Sequence, residues 1–405
     1  MLSRVFVTGY GVISAFGKDI KAIKERLALK ENAVCVMEDW KKYKDLTTYL
    51  AAPILDYTPP KEWNRKQMRS LGRVSQYSVE SAGIALKMAN LAEDSTIKDG
   101  RMGVAFGSST GSTDAILQMA RLFLKDENTM DANTYIKFMP HTTAANIALF
   151  YSLKGRVIPT SSACTSASHA IGYAYESIKN GKIDLMIAGG AEELCVSEAM
   201  TFNVLYATSL KNDTPKLTPK PFDKNRDGLV IGEGGAALIL ESESSVKKRG
   251  VKPLAEVVGF GSTCDGTHIT RPNSATMKEA MILALKDANI TSDKIGYINA
   301  HATATQFGDL AESIATNELF GEKVAISSLK SYFGHTLGAC GALESILSIE
   351  MMNDNIFFPT INLEDSDCAK LDYLRDIREI RADFVMNNNF AFGGINTSLI
   401  FKRVD

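Results

Sequence analysis

RVFVTGYG, at residues 4–11, has a counterpart in LAEVVGFG, at residues 254–261, and the pair decides the fold. Each stretch is a short apolar run closed by Gly-x-Gly, a pattern typical of a strand that ends in a tight turn. The same unit therefore occurs near the start of the chain and again well into its second half. We expect two related halves.

Two further pairs follow in the same order. RMGVAFGSST (101–110) matches GYINAHATAT (296–305), each a strand followed by a loop of small residues. ACTSASHAIGYAYESI (163–178) matches YFGHTLGACGALESIL (332–347), each a loop that leads into a helix. The ordered repeat predicts a duplicated fold in which these two loops meet at a pseudo-twofold axis.

The rest of the chain alternates apolar runs bounded by glycine with helical stretches, which predicts an α/β fold. Residues 75–91 and 274–290 carry apolar residues at three- and four-residue spacing, as helices that face a core do. The predicted strands are RVFVTGYG, RMGVAFGSS, IDLMIAGGAEE, AALILES, LAEVVGFG, IGYINAHAT and NTSLIFK. We expect the sheet to be covered by helices on both faces.

Composition narrows the function. The 405 residues are 45% hydrophobic, and 45 basic against 47 acidic side chains leave a net charge of -2, so no global field attracts nucleic acid or an anionic membrane. The six cysteines form no CxxC pair, which argues against a zinc site and for reduced thiols in the cytoplasm. Neither a secretory leader nor an apolar run of membrane-spanning length is visible. We expect no metal and no nucleotide cofactor.

Cys164 is the first candidate for chemistry. It lies among small residues at a predicted strand-to-helix turn, where a helix dipole would lower the pKa of a thiol. Thr165, Ser166 and Ser168 are candidate caps of that helix. The alternative is a small buried cysteine with a packing role, which is how most free cysteines are used.

Two histidines and a lysine favour the chemical interpretation. His301 follows an apolar strand, where α/β folds place reactive groups, and His335 precedes a helix rich in Gly and Ala. Lys330 lies on the same loop as His335. His169, one turn past Cys164, is interpreted as packing, and His268 has a weaker claim to a cleft.

With these residues in view, the chain resembles a known family. PTSSACTSASHAIG, INAHATATQFGDLAE, SSLKSYFGHTLGACGALESI and NNNFAFGGINTSLIF are similar to the signature blocks of the elongating β-ketoacyl-[acyl-carrier-protein] synthases of the synthase II type, in the thiolase superfamily. The resemblance covers essentially the whole chain. It implies a thiolase-like duplicated fold in five layers, α-β-α-β-α, with halves at 1–250 and 251–405 related by a pseudo-twofold axis, and a homodimer.

The resemblance also implies a reaction. Cys164 would take an acyl chain from acyl carrier protein, and malonyl-carrier protein would be decarboxylated and condensed with it, giving a 3-oxoacyl product two carbons longer. His301 and His335 would stabilise the enolate, Lys330 would keep both rings neutral, and Glu312 would be its ion partner. The oxyanion hole would be the backbone N–H groups of Cys164 and Phe392. For Glu312 the alternative is a solvated helix face.

The remaining assignments also come from the resemblance. Phe390 and Phe392 would gate the acyl pocket with Gly393 and Gly394 as the flexible part, unless this is only a tight turn packed by aromatic rings. Thr303 and Thr305 would bind the phosphopantetheine arm, or else cap a strand end. The basic side chains between residues 61 and 73 would dock the acidic carrier protein if they share one face; they are Lys61, Arg65, Lys66, Arg69 and Arg73.

Three positions depart from the common family pattern: HATAT replaces HGTST, Thr110 stands where an aliphatic residue often lines the acyl pocket, and Tyr206 replaces an arginine near the entry. These changes leave a specialised pathway, such as an aryl polyene or polyketide one, as the alternative to fatty acid synthesis, with or without a non-catalytic partner subunit. A thiolase would need a second reactive cysteine near the C-terminus, and an initiating synthase would carry Asn in place of His335. A chain-length partner would lack Cys164.

Overall fold

The computed structural model describes residues 2–404. Its strands are β1 (Val5–Ile13), β2 (Cys35–Val36), β3 (Leu50–Ala52), β4 (Met102–Gly107), β5 (Val157–Thr160), β6 (Leu185–Glu192), β7 (Ile231–Gly232), β8 (Gly234–Ser242), β9 (Ala255–Cys264), β10 (Ile295–Asn299), β11 (Ala325–Ser327), β12 (Ile356–Phe357), β13 (Asp372–Tyr373), β14 (Arg378–Glu379), β15 (Phe384–Ala391) and β16 (Ile395–Lys402). Its α-helices are α1 (Ile20–Ala28), α2 (Arg65–Met68), α3 (Arg73–Met88), α4 (Thr113–Lys125), α5 (Thr134–Phe138), α6 (Thr142–Tyr151), α7 (Ser166–Lys179), α8 (Val196–Val204), α9 (Glu243–Arg249), α10 (Ser274–Ala288), α11 (Gln306–Phe320), α12 (Lys330–Phe333) and α13 (Cys340–Asp354).

One sheet organises the chain. Over residues 2–404 it has eleven strands in the order β13-β11-β10-β15-β16-β9-β1-β8-β6-β4-β5. β1 and β9, the two strands of the opening repeat, lie side by side and pair antiparallel over Val5–Val7 and Ala255–Val257. This short pairing is the seam between the two halves of the sheet.

The order of strands is the same in both directions from the seam. Outward from β1 come β8, β6, β4 and β5, and outward from β9 come β16, β15, β10 and β11. β8 and β16, which lie next to the seam strands, are antiparallel to both of their neighbours. β6, β4 and β5 run parallel to one another, as do β15, β10 and β11, and β13 adds one more parallel strand at the edge of the second half. The predicted duplication is therefore confirmed by the topology.

The repeated glycines act differently from the prediction. They do not end the strands, because β1 runs through Gly9 and Gly11 and β9 runs through Gly259 and Gly261. A Cβ at Gly11 would lie 2.1 Å from the carbonyl oxygen of Ser81 on α3, and one at Gly261 would lie 2.0 Å from that of Ala280 on α10. Each pair of glycines thus lets one helix lie directly on the backbone of a central strand.

The layers follow from these contacts. α3 and α6 cover the outer face of the first half of the sheet, and α10 covers that of the second half with α11 against it. α7 and α13 lie between the halves and contact strands of both. Their small and aliphatic side chains, such as Ala167, Ile171, Ala342 and Ile346, are fully buried in the largest core cluster. The five-layer, thiolase-like arrangement is confirmed; the division of the chain at 250/251 stays a prediction.

Within residues 2–404, no helix is both long enough and apolar enough to cross a membrane.

Candidate active site

Cys164 lies on a tight turn between β5 and α7. Ala163–Thr165 form a single 3₁₀ turn, and the α-helix begins at Ser166. Ala163 has φ 50°, a left-handed conformation that side chains other than glycine rarely adopt. The Ser166 hydroxyl donates to the carbonyl of Ala163 and accepts from the backbone N–H of Ser162, so it fixes the turn. Thr165, at the N-cap, makes no capping hydrogen bond with its side chain, so that part of the prediction is wrong.

The second half repeats this turn. Leu337–Ala339 form a 3₁₀ turn before α13, and Leu337 has φ 45°. Counted from the start of each helix, Gly338 is the counterpart of Cys164. His335 lies just before this turn, and its backbone is held by Val230 through a 2.7 Å hydrogen bond from His335 N–H to the Val230 carbonyl. The second turn therefore places His335 beside the turn that holds Cys164.

His301 lies in the loop after β10, and Glu312 holds that loop. One carboxylate oxygen of Glu312 accepts from the backbone N–H of His301 at 2.8 Å, and the other accepts from Ala302 at 2.7 Å. Glu312 is fully buried on α11, so the alternative of a solvated helix face is wrong. Burial raises the pKa of Glu312 to about 8, and the hydrogen bond from the His301 backbone opposes that rise.

The predicted ion pair between Lys330 and Glu312 is also wrong. The Lys330 ammonium binds the carboxylate of Glu344 on α13, and both side chains are buried. Glu344 accepts a second hydrogen bond, at 2.8 Å, from the Asn389 side chain on β15. Burial alone would lower the pKa of Lys330, but Glu344 holds it above its usual value, so Lys330 stays charged.

The thiol and the two imidazoles come together as predicted. His335 Nε2 lies 2.9 Å from Cys164 Sγ. The sulphur and one ring nitrogen of each histidine all lie within 4.8 Å of one another, and the two rings meet edge to face at 5.2 Å. In such a set the thiol can pass its proton to an imidazole nitrogen. By its donor atoms alone the set could also hold a metal ion.

Burial governs the protonation of this set. It raises the pKa of Cys164 to about 12, which Lys330 and the backbone N–H of Phe392 oppose. The predicted lowering by a helix dipole is therefore wrong in sign, because desolvation outweighs it. Burial lowers the pKa of His301 and of His335 well below the usual value, and the charge of Lys330 lowers both further. The thiol is protonated and both imidazoles are neutral at pH 7.

A cleft of about 400 Å³ leads to these residues. Cys164, His301 and His335 lie at its buried end, and Tyr206, with 96% of its surface exposed, lies at the mouth. Thr303 and Thr305 line one wall, with their hydroxyls 3.1 Å apart. His268 also lines the cleft and is exposed there. His169 is held between the hydroxyls of Ser162 and Ser262, which agrees with its predicted packing role.

The last glycine-rich loop is a hairpin turn between β15 and β16. Ala391 pairs with Ile395, and Gly393 and Gly394 between them have φ 87° and 71°. The Phe390 ring lies 6.2 Å from that of His301, and the Phe392 ring lies 5.2 Å from that of Phe202 on α8. Both phenylalanines line the cleft, and the backbone N–H groups of Phe392 and Cys164 lie close enough to the thiol sulphur to lower its pKa.

Two sets of predicted residues lie away from the cleft. Thr110 is not part of its described lining; its hydroxyl contacts the carboxyl groups of Glu192 and Glu198 instead. The basic stretch lies on and around α2, where Trp63 packs on Phe150 of α6. Its exposed basic side chains are Lys61, Arg65, Lys66 and Arg69. Arg73 stands apart, because its guanidinium stacks on the rings of Tyr57 and Tyr77.

Sequence reasoning did not find three residues that shape the site. Glu344 binds the Lys330 ammonium, Asn389 donates to Glu344, and Phe202 lines the cleft beside Cys164. Glu344 lies in SSLKSYFGHTLGACGALESI, the same segment as Lys330, and this was the sequence feature that could have indicated the pair. Nothing local distinguishes it from Glu312, because the choice of partner depends on how α11 and α13 pack.

Comparison with known proteins identifies the family of the chain. Residues 2–245 match the beta-ketoacyl synthase N-terminal domain, and residues 254–364 match its C-terminal domain. A 3-oxoacyl-[acyl-carrier-protein] synthase 2 of Vibrio harveyi is 34% identical, with 99% of both chains covered. A solved beta-ketoacyl synthase from Burkholderia phymatum is 53% identical, with all of both chains covered and a TM-score of 0.99.

A more distant solved structure belongs to a paired assembly. It is the ketosynthase ApeO in complex with its chain length factor ApeC from Xenorhabdus doucetiae, 26% identical, with 99% of this chain and 98% of that one covered and a TM-score of 0.84. Because the two domain matches together span most of the chain, the chain belongs to the beta-ketoacyl synthase family, whose members are condensing enzymes of the acyltransferase type.

Proposed function

We propose that the protein is a 3-oxoacyl-[acyl-carrier-protein] synthase of fatty acid biosynthesis, which extends an acyl group on Cys164 by two carbons taken from malonyl-carrier protein. The observation that carries the proposal is the 2.9 Å contact between His335 Nε2 and Cys164 Sγ, with His301 beside both at the end of one cleft. No cofactor takes part, since the substrates arrive on the carrier's phosphopantetheine arm.

In the first half-reaction the Cys164 sulphur attacks the acyl thioester carbonyl. The thiol proton passes to His335 Nε2 and from there to the departing thiolate of the carrier, so one C–S bond forms as another breaks. The carbonyl oxygen becomes an oxyanion in this step. The backbone N–H groups of Cys164 and Phe392 are its donors, since both already lie near the sulphur.

In the second half-reaction the malonyl C–C bond breaks and carbon dioxide leaves. The electron pair forms an enolate, whose oxygen accepts hydrogen bonds from neutral His301 and His335; a neutral imidazole can take either tautomer, so one ring serves both steps. The enolate carbon then attacks the Cys164 thioester, the C–S bond to Cys164 breaks, and the released thiolate takes up a proton from solvent, which restores the thiol. Lys330 keeps both rings neutral and lowers the energy of the anion.

The walls of the cleft position the substrates. Thr303 and Thr305 hydrogen-bond the phosphopantetheine arm, and Phe390 and Phe392 gate the acyl site on a turn whose flexibility comes from Gly393 and Gly394. Glu312 is a positioning residue, because it holds the backbone of His301. The exposed basic residues around α2, which are Lys61, Arg65, Lys66 and Arg69, dock the acidic carrier protein.

The protein works as a homodimer in the cytoplasm. β5 is an edge strand, and it lies next to α6 with the α4–α5 pair beside that helix. This surface exposes large apolar side chains, among them Leu117, Leu124, Leu149 and Val157. Exposed apolar patches next to an unpaired edge are typical of interfaces. All six cysteines are free thiols, in keeping with a reducing compartment.

A second candidate is a ketosynthase of a specialised pathway, such as an aryl polyene one, that pairs with a non-catalytic chain length factor. The observations in its favour are the hydrogen bonding of Thr110 to two buried acids and the exposed Tyr206 at the cleft mouth. The solved ApeO–ApeC pair is a relative with such a partner.

The test is intact-mass analysis of the protein after incubation with acyl-carrier proteins, followed by malonyl-carrier protein. We expect one acyl group per wild-type chain, none on Cys164→Ala, and discharge as a 3-oxoacyl-carrier protein. Cys340→Ala is the matched control, because that thiol is also buried, donates to the Cys164 carbonyl and accepts from the Asn389 side chain. Acylation of Cys164→Ala, or no acylation of a folded wild type, would contradict the proposal.

A further inference from the structure

An acyl group on Cys164 has to extend inward. The cleft runs from exposed Tyr206 to buried Cys164, and the carrier's arm enters along it. The sulphur also borders a buried apolar cluster in which Cys164 packs with Ala199, Phe202 and Leu337. Ala199 and Phe202 belong to α8, so this helix faces the acyl position.

One turn before Phe202, the same helix carries a buried acid. The Glu198 side chain is 4% exposed and lies 3.0 Å from the hydroxyl of Thr110 and 3.2 Å from the backbone N–H of Cys195. The loop that holds Thr110 lies against the second turn, because the backbone N–H groups of Ser109 and Gly338 donate to the same oxygen of Glu192. Gly338 directly follows Leu337, and Glu198 directly precedes Ala199, so this polar wall borders the apolar cluster.

A donor and an acceptor can be assigned to each hydrogen bond of this polar wall. Glu192 accepts from the backbone of Ser109 at 2.7 Å and of Gly338 at 2.9 Å, and from the hydroxyl of Thr110 at 3.1 Å. Thr110 has one hydroxyl hydrogen, and donating it to Glu192 leaves its oxygen free to accept from Glu198. Burial, together with the charge of Glu192, raises the pKa of Glu198 well above the usual value, so Glu198 is the protonated donor.

We propose that the hydrogen-bonded pair of Glu198 and Thr110 closes the inner end of the acyl site and restricts Cys164 to short acyl groups. This inference rests on the proposed function and adds the substrate class. A long saturated chain would have to separate the two side chains and leave buried polar groups without partners, which is costly. A short chain ends before it reaches them.

The experiment compares the rates at which butanoyl- and decanoyl-carrier protein acylate Cys164, followed by intact mass. In the wild type we expect the butanoyl group to be transferred at least about tenfold faster. Glu198→Ala and Thr110→Val should raise the decanoyl-to-butanoyl ratio about tenfold or more. Glu198→Gln, which keeps the size and a donor, should retain the wild-type ratio, and so should Thr201→Val, whose hydroxyl bonds within the exposed face of α8.

The outcomes are distinct. If the wild type accepts both chains equally, or if Glu198→Ala and Thr110→Val leave the ratio unchanged, the inference is wrong while the proposed function stands. If Glu198→Gln changes the ratio as much as Glu198→Ala does, the hydrogen-bonded wall is not the cause and the inference is again wrong. If neither chain acylates the folded wild type, the proposed function fails and the inference falls with it.

Discussion

At the scale of single residues, burial raises the pKa of the Cys164 thiol and lowers the pKa of the two imidazoles. It keeps Cys164 protonated and both histidines neutral, because each charged form would lose its hydration. Lys330 is the exception, since it stays charged in the same interior through Glu344. The site thus combines neutral proton carriers with one fixed positive charge.

The neutral histidines give a pH prediction. An imidazole with its usual pKa near 6.5 would be half protonated at pH 6.5, and the rate of malonyl-carrier decarboxylation would halve there. Because the pKa of both rings is lowered, we expect this rate to stay flat from pH 7.5 down to pH 6. His301→Asn should reduce it by about 100- to 1,000-fold. A fall centred on pH 6.5 in the wild type would contradict the neutral state.

The buried ion pair of Lys330 and Glu344 gives a stability prediction. Glu344→Gln leaves the buried ammonium of Lys330 without its counter-charge, and we expect the free energy of unfolding in urea to fall by about 3 to 5 kcal/mol. The matched control is Glu322→Gln, which removes an exposed partner of Lys370 and should change it by less than about 1 kcal/mol. Equal effects of the two changes would show that the buried pair is not needed.

At the scale of elements, the sequence predicted most of the central strands but missed β15. Its residues Asn387, Asn388 and Asn389 disfavour a strand locally, and β-propensity alone therefore points away from one. The structure compensates with long-range bonds, such as those from Asn299 to Asn387 and from Asn389 to Glu344. Partners so distant in the chain cannot be read from a local pattern.

The same limit applied to the site. Cys164, His301 and His335 could be predicted because each stands at the end of an element among small residues, and the repeat brings such ends together. The partner of Lys330 could not, because it depends on helix packing. The repeated glycines were recognised as equivalent, but their role in helix contact depends on which face of each strand α3 and α10 cover.

The glycines under the helices give a prediction at this scale. Gly261→Ala places a methyl group 2.0 Å from the Ala280 carbonyl oxygen, and Gly11→Ala places one 2.1 Å from that of Ser81. Each should lower the free energy of unfolding by about 3 kcal/mol or more, as severe overpacking does, measured by urea titration. Gly250→Asn, at a left-handed helix end with open space around it, should change it by less than about 1 kcal/mol. If Gly261→Ala and Gly11→Ala lower the free energy of unfolding no more than Gly250→Asn does, then α3 and α10 can move away from the strands to make room for the methyl group.

At the scale of the whole molecule, the exposed apolar surface beside β5 predicts self-association. Leu149→Glu on α6 would bury a charge in the proposed interface. At micromolar concentration we expect light scattering to report a dimer for the wild type and monomers for this variant. Leu29→Glu is the control, because Leu29 is equally exposed at the end of α1, away from β5. A monomeric wild type, or dimeric Leu149→Glu protein, would rule out this interface.

The paired left-handed turns at Ala163 and Leu337 also set the stoichiometry of the enzyme. The chain contains two turns of the same build, but only the first carries a thiol, and Gly338 offers no side chain at the matching place. The second turn instead delivers a histidine to its twin. Under the proposed function, one half supplies the thiol that takes the acyl group and the other supplies the histidine that accepts its proton, so we expect each chain to hold one acyl group at a time.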